Sequence, residues 1–397
     1  MIKNLKYINI EYTDNDLEYI DYICDEIEKK TEDIVNFFEL NEFGEKVNIK
    51  LFDDIDNFRN FYNKTFKIEP KDYICGFSKG NNVYTLSISE YKKCYSHENS
   101  SIEDLIKLIL HEFTHSIHFK RNSNMNVIWL NEGAATYLSG QHKDAKEIKG
   151  TLDDLLNGKC SYSDYKLMFE YIFNTYSKEY ILKLIDSEEL LNKETKRLFN
   201  EALVFTNIKT PKELNEYMNK NISYGYLGKN NKIYMPNDPN FDKDWLDNYI
   251  LETPYDILST KVGNCFDQVE FERNWFENNN YEYKTIYNQV LLNYDNSYPT
   301  HTFLVYKENN KWYYFENAWE DMKGIHEFNT LEELLEYEYN KYIEFLKEFN
   351  ITDEEIEKIK YFEYSKPKEH ISAKEYIEYM LKQKELYFSE KEKDKQL

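Results

Sequence analysis

The segment His111-Glu112-Phe113-Thr114-His115 places two imidazoles and a carboxylate within about one turn of a predicted helix. Residues four apart in an α-helix differ by 400° of rotation and about 6 Å of rise, so both imidazoles point to the same side. Two imidazoles held in this way can bind one Zn²⁺. The Glu112 carboxylate can then accept a proton from a metal-activated water and return it to a leaving amine.

A zinc site of this kind needs a third protein ligand, and the sequence offers His118 and Glu132. His118 lies seven residues from His111, about 10.5 Å along the helix axis, which is too far to share one ion unless the helix breaks. We therefore expect His118 beside the site or at the surface. Glu132 belongs to the string WLNEGAA (129–135), where a second short helix is predicted to open at Asn131. The small residues at 133–135 predict close packing of this helix against the first.

The strings HEFTH (111–115) and WLNEGAA (129–135) resemble those of the gluzincin metallopeptidases, the thermolysin-like and aminopeptidase-like zinc enzymes. The resemblance covers about residues 1–220. It implies a small sheet followed by a helical zinc-binding half. It further implies His111, His115 and Glu132 as ligands of one catalytic Zn²⁺, with Glu112 as the general base.

Such enzymes also need a hydrogen-bond donor to the tetrahedral oxyanion. Tyr162 and Tyr165, in the helical region that follows Glu132, are the candidates by position. The alternative, that both tyrosines only pack or face solvent, remains open in a chain with 37 tyrosines.

A second group of reactive residues begins at Cys265, which follows Gly263-Asn264 and precedes the amphipathic stretch FDQVEFERNWF. This pattern places Cys265 at the N-terminus of a helix, where the helix dipole lowers the pKa of a thiol. A nearby histidine lowers it further by accepting the proton. Downstream, His301 opens a predicted strand that pairs with the strand 312–318 as a hairpin.

The length of the hairpin loop decides which residue accompanies His301. With a loop of two or four residues, position 318 lies opposite His301 and Glu316 shares its face of the sheet. A loop of three or five residues would present Asn317 instead. We favour Glu316, because Asn309-Asn310 is acceptable for a two-residue loop.

The strings GNCFDQVEFER (263–273), THTFLVY (300–306) and WYYFENAW (312–319), followed by GIHEF (324–328), resemble the transglutaminase-like domains of bacterial proteins. The resemblance covers about residues 221–345 and implies a papain-like α+β fold. It implies Cys265, His301 and Glu316 as a triad. Domains of this kind hydrolyse, deamidate or transfer at amide groups, and some only bind.

The pattern of predicted helices and strands indicates an α+β chain of two domains, 1–220 and 221–397. The boundary is predicted at the Gly-, Pro- and Asn-rich stretch 222–243. In the first domain we predict two strands (7–12, 47–52), two helices (15–38, 54–64), a hairpin around Lys79–Asn82, and helices through 101–220. In the second we predict one helix (264–279), three strands (283–293, 301–307, 312–318) and three helices (330–348, 352–363, 372–386).

Composition limits the classes of partner. The 397 residues carry 73 acidic and 50 basic side chains, a net charge of −23 that repels nucleic acids and anionic membranes. No run of about 18 apolar residues predicts a membrane span, and the N-terminal residues lack the features of a secretory signal. The five cysteines are odd in number and unpaired in pattern, which favours a reducing cytoplasm.

Three hypotheses follow. In the first, a cytoplasmic zinc peptidase is fused to a cysteine-dependent domain that acts on amide groups, with a peptide or protein as substrate. In the second, only one domain is catalytic and the other recruits substrate. In the third, the chain is a binding protein with a structural zinc, which is disfavoured because structural sites normally have four protein ligands. Nothing in the sequence indicates an oligomeric state.

Overall fold

Backbone contacts divide the chain into two units, Met1–Asn207 and Ile208–Leu397. The computed structural model describes residues 1–95, 97–291 and 298–394. Helices and strands occur in both units, so the α+β class predicted from the sequence is confirmed. None of the helices in the described part of the chain is both long and apolar enough to cross a bilayer.

The first unit is built on a five-stranded mixed sheet of order β1-β2-β3-β5-β4. Strands β2, β3 and β5 run parallel, whereas the edge strands β1 and β4 are antiparallel to their neighbours. The inward-facing residues of the parallel strands are buried, and all of them except Thr85 are apolar, as expected for a sheet that carries helices. The strands are β1 (Ile2–Asn4), β2 (Ile8–Glu11), β3 (Val47–Phe52), β4 (Gly76–Lys79) and β5 (Asn82–Leu86).

The helices of the first unit follow the predicted pattern, and most of its residues after 101 are helical. They are α1 (Ile20–Phe38), α2 (Ile55–Phe66), α3 (Ile88–Tyr91), α4 (Ile102–Arg121), α5 (Ile128–Ser139), α6 (Leu152–Leu156), α7 (Tyr162–Thr175), α8 (Lys178–Asp186) and α9 (Glu188–Asn207). Helix α4 begins at a capping box formed by Ser101 and Asp104. Its predicted apolar side, from Ile106 to Ile117, is buried against the sheet and α1.

The start of α5 differs from the prediction. The helix opens at Ile128 rather than at Asn131, and the Asn131 side chain donates a hydrogen bond to the Met125 carbonyl instead of capping a helix. Burial of Trp129 and Leu130 fixes the first turn, so packing rather than a capping side chain determines where α5 begins.

The second unit carries a fully antiparallel five-stranded sheet of order β11-β10-β9-β8-β12 and a small two-stranded ribbon. The strands are β6 (Tyr226–Leu227), β7 (Ile233–Tyr234), β8 (Glu282–Val290), β9 (His301–Glu308), β10 (Lys311–Glu316), β11 (Gly324–Phe328) and β12 (Ile359–Glu363). The helices are α10 (Pro211–Asn221), α11 (Phe241–Asn248), α12 (Pro254–Thr260), α13 (Cys265–Asn278), α14 (Leu331–Leu346), α15 (Asp353–Ile356) and α16 (Ala373–Asp394).

One prediction for this half is wrong. The helix predicted at 352–363 is instead the short α15 followed by strand β12, because Ile359 to Glu363 pair with β8 along its outer edge. The division by contacts falls after Asn207, whereas the boundary was predicted near 220. Helix α10 lies in the second unit, where Asn215 donates to the Glu316 carbonyl and to Asn317. Of the strand predicted at 283–293, residues 292 and 293 lie outside the described residues.

The β9–β10 hairpin has the predicted two-residue loop. Asn309 and Asn310 both adopt positive φ, 51° and 62°, which is the conformation of a type I′ turn. Lys311 pairs with Glu308 and Phe315 with Leu304, so the register is the one expected for this loop length. His301 and Glu316 consequently lie on one face of the sheet.

We predict that Asn310→Val destabilises the second unit by about 1–2 kcal/mol, because a β-branched residue is strained at positive φ. Asn310→Gly should be neutral or stabilising, because glycine adopts this conformation freely. Urea unfolding followed by tryptophan fluorescence measures both variants, since Trp245, Trp275, Trp312 and Trp319 lie in this unit. The control Lys311→Val places the same side chain on extended backbone, and an equal loss there would contradict the turn strain.

Candidate functional sites

The first candidate site lies where α4 and α5 of the first unit meet. His111 and His115 project from the same side of α4, and their Nε2 atoms are 3.1 Å apart. Glu132, in the second turn of α5, places Oε2 3.2 Å from His111 Nε2 and 3.5 Å from His115 Nε2. Within the described residues, these three form the group whose geometry suits a metal ion.

The donor set fits a zinc ion on two grounds. Ligands about 2.0–2.1 Å from a tetrahedral ion lie about 3.3 Å from one another, which is close to the three distances above. Both imidazoles aim Nε2 at the same point, and Glu132 Oε2 is buried there without a hydrogen-bond partner among the described residues. Two nitrogens and one carboxylate oxygen are a donor set found at catalytic zinc sites.

The charges within this group are mutually stabilising. Burial raises the pKa of Glu132, but the two imidazoles outweigh it and hold the pKa below its usual value. Burial likewise lowers the pKa of His115, whereas the carboxylates of Glu132 and Glu112 raise it, with a net upward shift. His142, which follows α5, is exposed, yet partial desolvation and then the neighbouring His111 lower its pKa. Glu112 is itself buried on α4, between His111 and His115 in the sequence.

The two predicted oxyanion donors have different surroundings. The ring of Tyr162, at the first position of α7, lies 5.8 Å from the His111 ring, centroid to centroid. Tyr162 is 49% exposed, yet desolvation of its hydroxyl and then the charges of Glu132 and Glu112 raise its pKa, so it stays a neutral donor at physiological pH. Tyr165 is buried, and its hydroxyl has no hydrogen-bond partner within the described residues.

His118 is part of the core rather than of the surface. It is 3% exposed, lies beside Phe38, and leaves both ring nitrogens without partners in the described structure. Burial lowers its pKa to about 3, and the charge of His115 adds to the effect. It stands apart from the three atoms that converge, as the helix rise predicts.

The role predicted for the small residues of WLNEGAA needs correction at Gly133. A Cβ at Gly133 would lie 2.7 Å from the Tyr165 carbonyl oxygen and 3.0 Å from Phe169 Cβ, both on α7. Gly133 therefore permits the close approach of α5 to α7 rather than to α4. This contact sets the position of the turn that carries Glu132.

The second candidate site begins at Cys265, the first residue of α13. The Asn264 side chain caps the helix by accepting hydrogen bonds from the backbone of Phe266 and Asp267 at 2.9 and 3.3 Å. The Asp267 carboxylate accepts hydrogen bonds from the Asn264 backbone N–H, the Tyr249 hydroxyl and the Glu252 backbone N–H. These hydrogen bonds fix the first turn of α13 and therefore the position of Cys265.

His301 at the start of β9 contacts Glu316 at the end of β10. His301 Nε2 lies 2.8 Å from Glu316 Oε2, and both side chains are buried. The backbone N–H groups of Ala318 and Trp319 donate to Glu316 Oε1, and the Tyr314 hydroxyl donates to Oε2. Asn317 points away and donates to Glu272, so the structure brings Glu316 rather than Asn317 to His301.

This pair is charged at neutral pH. Burial alone would lower the pKa of His301, but the Glu316 carboxylate, a hydrogen bond with Cys265 and the charge of that residue raise it well above its usual value. Burial alone would raise the pKa of Glu316, yet His301 and the surrounding donors hold it down. Cys265 and His301 line one cavity of about 260 Å³, and a second of about 250 Å³ adjoins Cys265.

Sequence reasoning missed four residues that support this site. Asn288 Oδ1 accepts the His301 backbone N–H, and the Trp319 ring lies 5.2 Å from the imidazole, edge to face. Tyr314 binds Glu316, and Tyr224 lines both cavities. Tyr314 and Trp319 stand in the string WYYFENAW, so their closeness to Glu316 in sequence was a usable signal. Asn288 and Tyr224 are remote in sequence and gave none.

We predict that Glu132→Ala weakens Zn²⁺ binding by more than about 100-fold, since loss of a mere outer-shell partner already costs 10–100-fold. Glu112→Gln should keep full affinity, because its carboxylate is not one of the converging atoms. Competition with a chromogenic chelator measures both. Glu103→Ala, an exposed change on the same helix, is the control, and unchanged affinity in Glu132→Ala would remove Glu132 from the ligand set.

Comparison of the chain with protein-family models, with curated proteins and with solved structures gave no match. The function is therefore inferred from the chain's own side chains. The two groups, His111-His115-Glu132 and Cys265-His301-Glu316, provide the basis for that inference.

Proposed function

We propose that the first unit is a zinc-dependent peptidase of the gluzincin type. The observation that carries this proposal is the convergence of His111 Nε2, His115 Nε2 and Glu132 Oε2 within 3.1–3.5 Å of one another. Three protein ligands leave one coordination position open, which is the arrangement of a catalytic rather than a structural zinc site. The resemblance of HEFTH and WLNEGAA to gluzincin strings supports the same assignment.

In this proposal His111, His115 and Glu132 would hold the ion, which would supply Lewis-acid polarisation of the scissile carbonyl. Glu112, next to both ligand histidines, is the general base that takes the proton of the attacking water and gives it to the leaving nitrogen. Tyr162, the neighbour of His111, is placed to donate its hydroxyl proton to the developing oxyanion. Tyr165 is assigned to packing between α5 and α7, where its backbone carbonyl faces Gly133.

A second activity in the other unit is supported by a separate observation, the charged His301–Glu316 pair beside Cys265. We propose that Cys265 attacks the carbonyl carbon of an amide as a thiolate, forming a C–S bond. His301 gives its proton to the departing nitrogen, which leaves as ammonia or an amine. Water or another amine then breaks the C–S bond, and His301 takes up the proton of that nucleophile. Hydrolysis, deamidation and transfer share this sequence.

We predict that wild-type protein loaded with Zn²⁺ cleaves backbone amides in a complex peptide library, and that Glu112→Gln abolishes this cleavage while retaining zinc. Mass spectrometry of the products detects cleavage, glutamine deamidation and amine crosslinking together. Cys265→Ala is the matched control, since it should keep the cleavage and lose only the amide modification. An unchanged library with zinc-loaded wild-type protein would contradict both activities.

The pH dependence of Cys265 alkylation tests the triad. Because the Glu316 carboxylate raises the pKa of His301, the imidazolium that stabilises the thiolate persists through neutral pH. Glu316→Gln removes that charge and lowers the pKa of His301, so we expect less imidazolium at neutral pH and slower Cys265 alkylation at about pH 6.5 than in the wild type.

Iodoacetamide labelling followed by mass spectrometry of the Cys265 peptide gives the rate. Glu327→Gln, on the exposed part of β11, is the control for an unspecific loss of a carboxylate. Circular dichroism establishes that the Glu316 variant remains folded. A profile identical to wild type would show that Glu316 does not tune the pair.

A further inference from the structure

A cleft of about 900 Å³ in the first unit has a charge opposite to that of the chain as a whole. It is lined by four lysines, Lys107, Lys143, Lys146 and Lys149, against two acidic residues, Asp144 and Glu147. The complete sequence has 73 acidic residues to 50 basic ones. The local excess of positive charge is therefore a feature of this cleft and not of the composition.

The cleft lies beside the candidate metal ligands. Lys107 precedes His111 by one helical turn on α4, so the two residues lie on neighbouring parts of one helix face. Ser163, which also lines the cleft, follows Tyr162, the tyrosine next to His111. The segment 140–149 continues directly from α5, the helix that carries Glu132. His142, the neighbour of His111, is part of the lining.

Two of the four lysines have their charges free for a ligand. Lys107 pairs with Asp104 and Lys149 with Glu147, both at 3.3 Å. Lys143 and Lys146 make no ion pair within the part of the chain that the structure describes. The stem of Lys143 lies over Gly140, where a Cβ would come 3.1 Å from Lys143 Cε. Gly140 ends α5 with a φ of +74°, so this contact holds the Lys143 stem beside the C-terminus of α5, and both residues line the cleft.

We propose that this cleft binds the carboxylates of an acidic peptide segment next to the bond that the peptidase cleaves, with Lys143 and Lys146 as the selecting residues. The inference rests on the proposed function of the first unit and specifies its substrate class. A cleft of this volume accommodates several residues of an extended peptide. Its ammonium groups can pair with Asp or Glu side chains there, whereas the net charge of −23 repels an acidic chain elsewhere on the surface.

The test uses three fluorescent decapeptides with one central sequence, flanked by glutamates, glutamines or lysines. Binding is measured by fluorescence anisotropy to the zinc-loaded Glu112→Gln protein, so that no turnover intervenes. Two ion pairs at a partly exposed cleft should give the glutamate peptide about a tenfold advantage over the glutamine peptide. Adding Lys143→Glu and Lys146→Glu should remove the advantage and favour the lysine peptide.

The matched control adds Lys30→Glu and Lys64→Glu, which make the same change of charge at exposed positions on α1 and α2. The control protein should still bind the glutamate peptide about tenfold more tightly than the glutamine peptide. Equal binding of these two peptides to the Glu112→Gln protein would overturn the inference. In the library digested by wild-type protein, Asp and Glu should be enriched beside the cleaved bonds. Cleavage without that enrichment refutes the acidic preference but not the peptidase, whereas acidic binding without any cleavage refutes only the peptidase.

Discussion

The first unit depends on how closely α5 can approach its neighbours. At Gly133 there is no room for a side chain, because the Tyr165 carbonyl of α7 occupies the place where a Cβ would stand. The adjacent residue, Glu132, is thereby held 3.2 Å from His111 on α4. The converging donors are a product of helix packing, and any substitution that separates α5 from α7 would displace the candidate metal ligand Glu132 without replacing it.

The second unit buries many carboxyl groups. Glu316 is ionised because His301 and three other donors surround it, and Asp267 accepts hydrogen bonds from the start of its own helix and from Tyr249. Those bonds do not fully offset the burial of Asp267, whose pKa is raised to about 7. Burial raises the pKa of Glu270 and of Glu338 to about 7. Their stabilising contribution is complete below the usual glutamate pKa and is lost as the pH rises through about 7.

Local rules predicted a large part of this structure. The 3.6-residue period gave the buried side of α4 and the common direction of His111 and His115, because both depend only on helix geometry. The loop length gave the register of the β9–β10 hairpin, because side chains alternate strictly along a strand. The place of Glu132 beside the two histidines was implied by the resemblance of WLNEGAA to gluzincin strings, although Gly133 packs α5 against α7 rather than α4.

The structural features that the sequence did not predict depend on contacts between residues that are remote in the chain. The segment Ile359 to Glu363 has spacing that suits a helix, and only the free edge of β8 makes it a strand. Tyr162 and Tyr165 are equivalent by position, and packing of α7 decides that Tyr162 lies beside His111. The lysine-lined cleft is formed largely by irregular chain after α5, which has no periodicity to read.

The length of the turn formed by Asn309 and Asn310 determines which residue of the following strand lies beside His301. Insertion of a single residue at Asn309-Asn310 would shift the parity of the hairpin and exchange the residues that β10 presents on each face. Asn317 would then take the place of Glu316 beside His301, and a neutral amide would replace the charged partner. One inserted codon in an exposed loop would thus replace the carboxylate beside His301 with an amide, with no substitution at Cys265, His301 or Glu316.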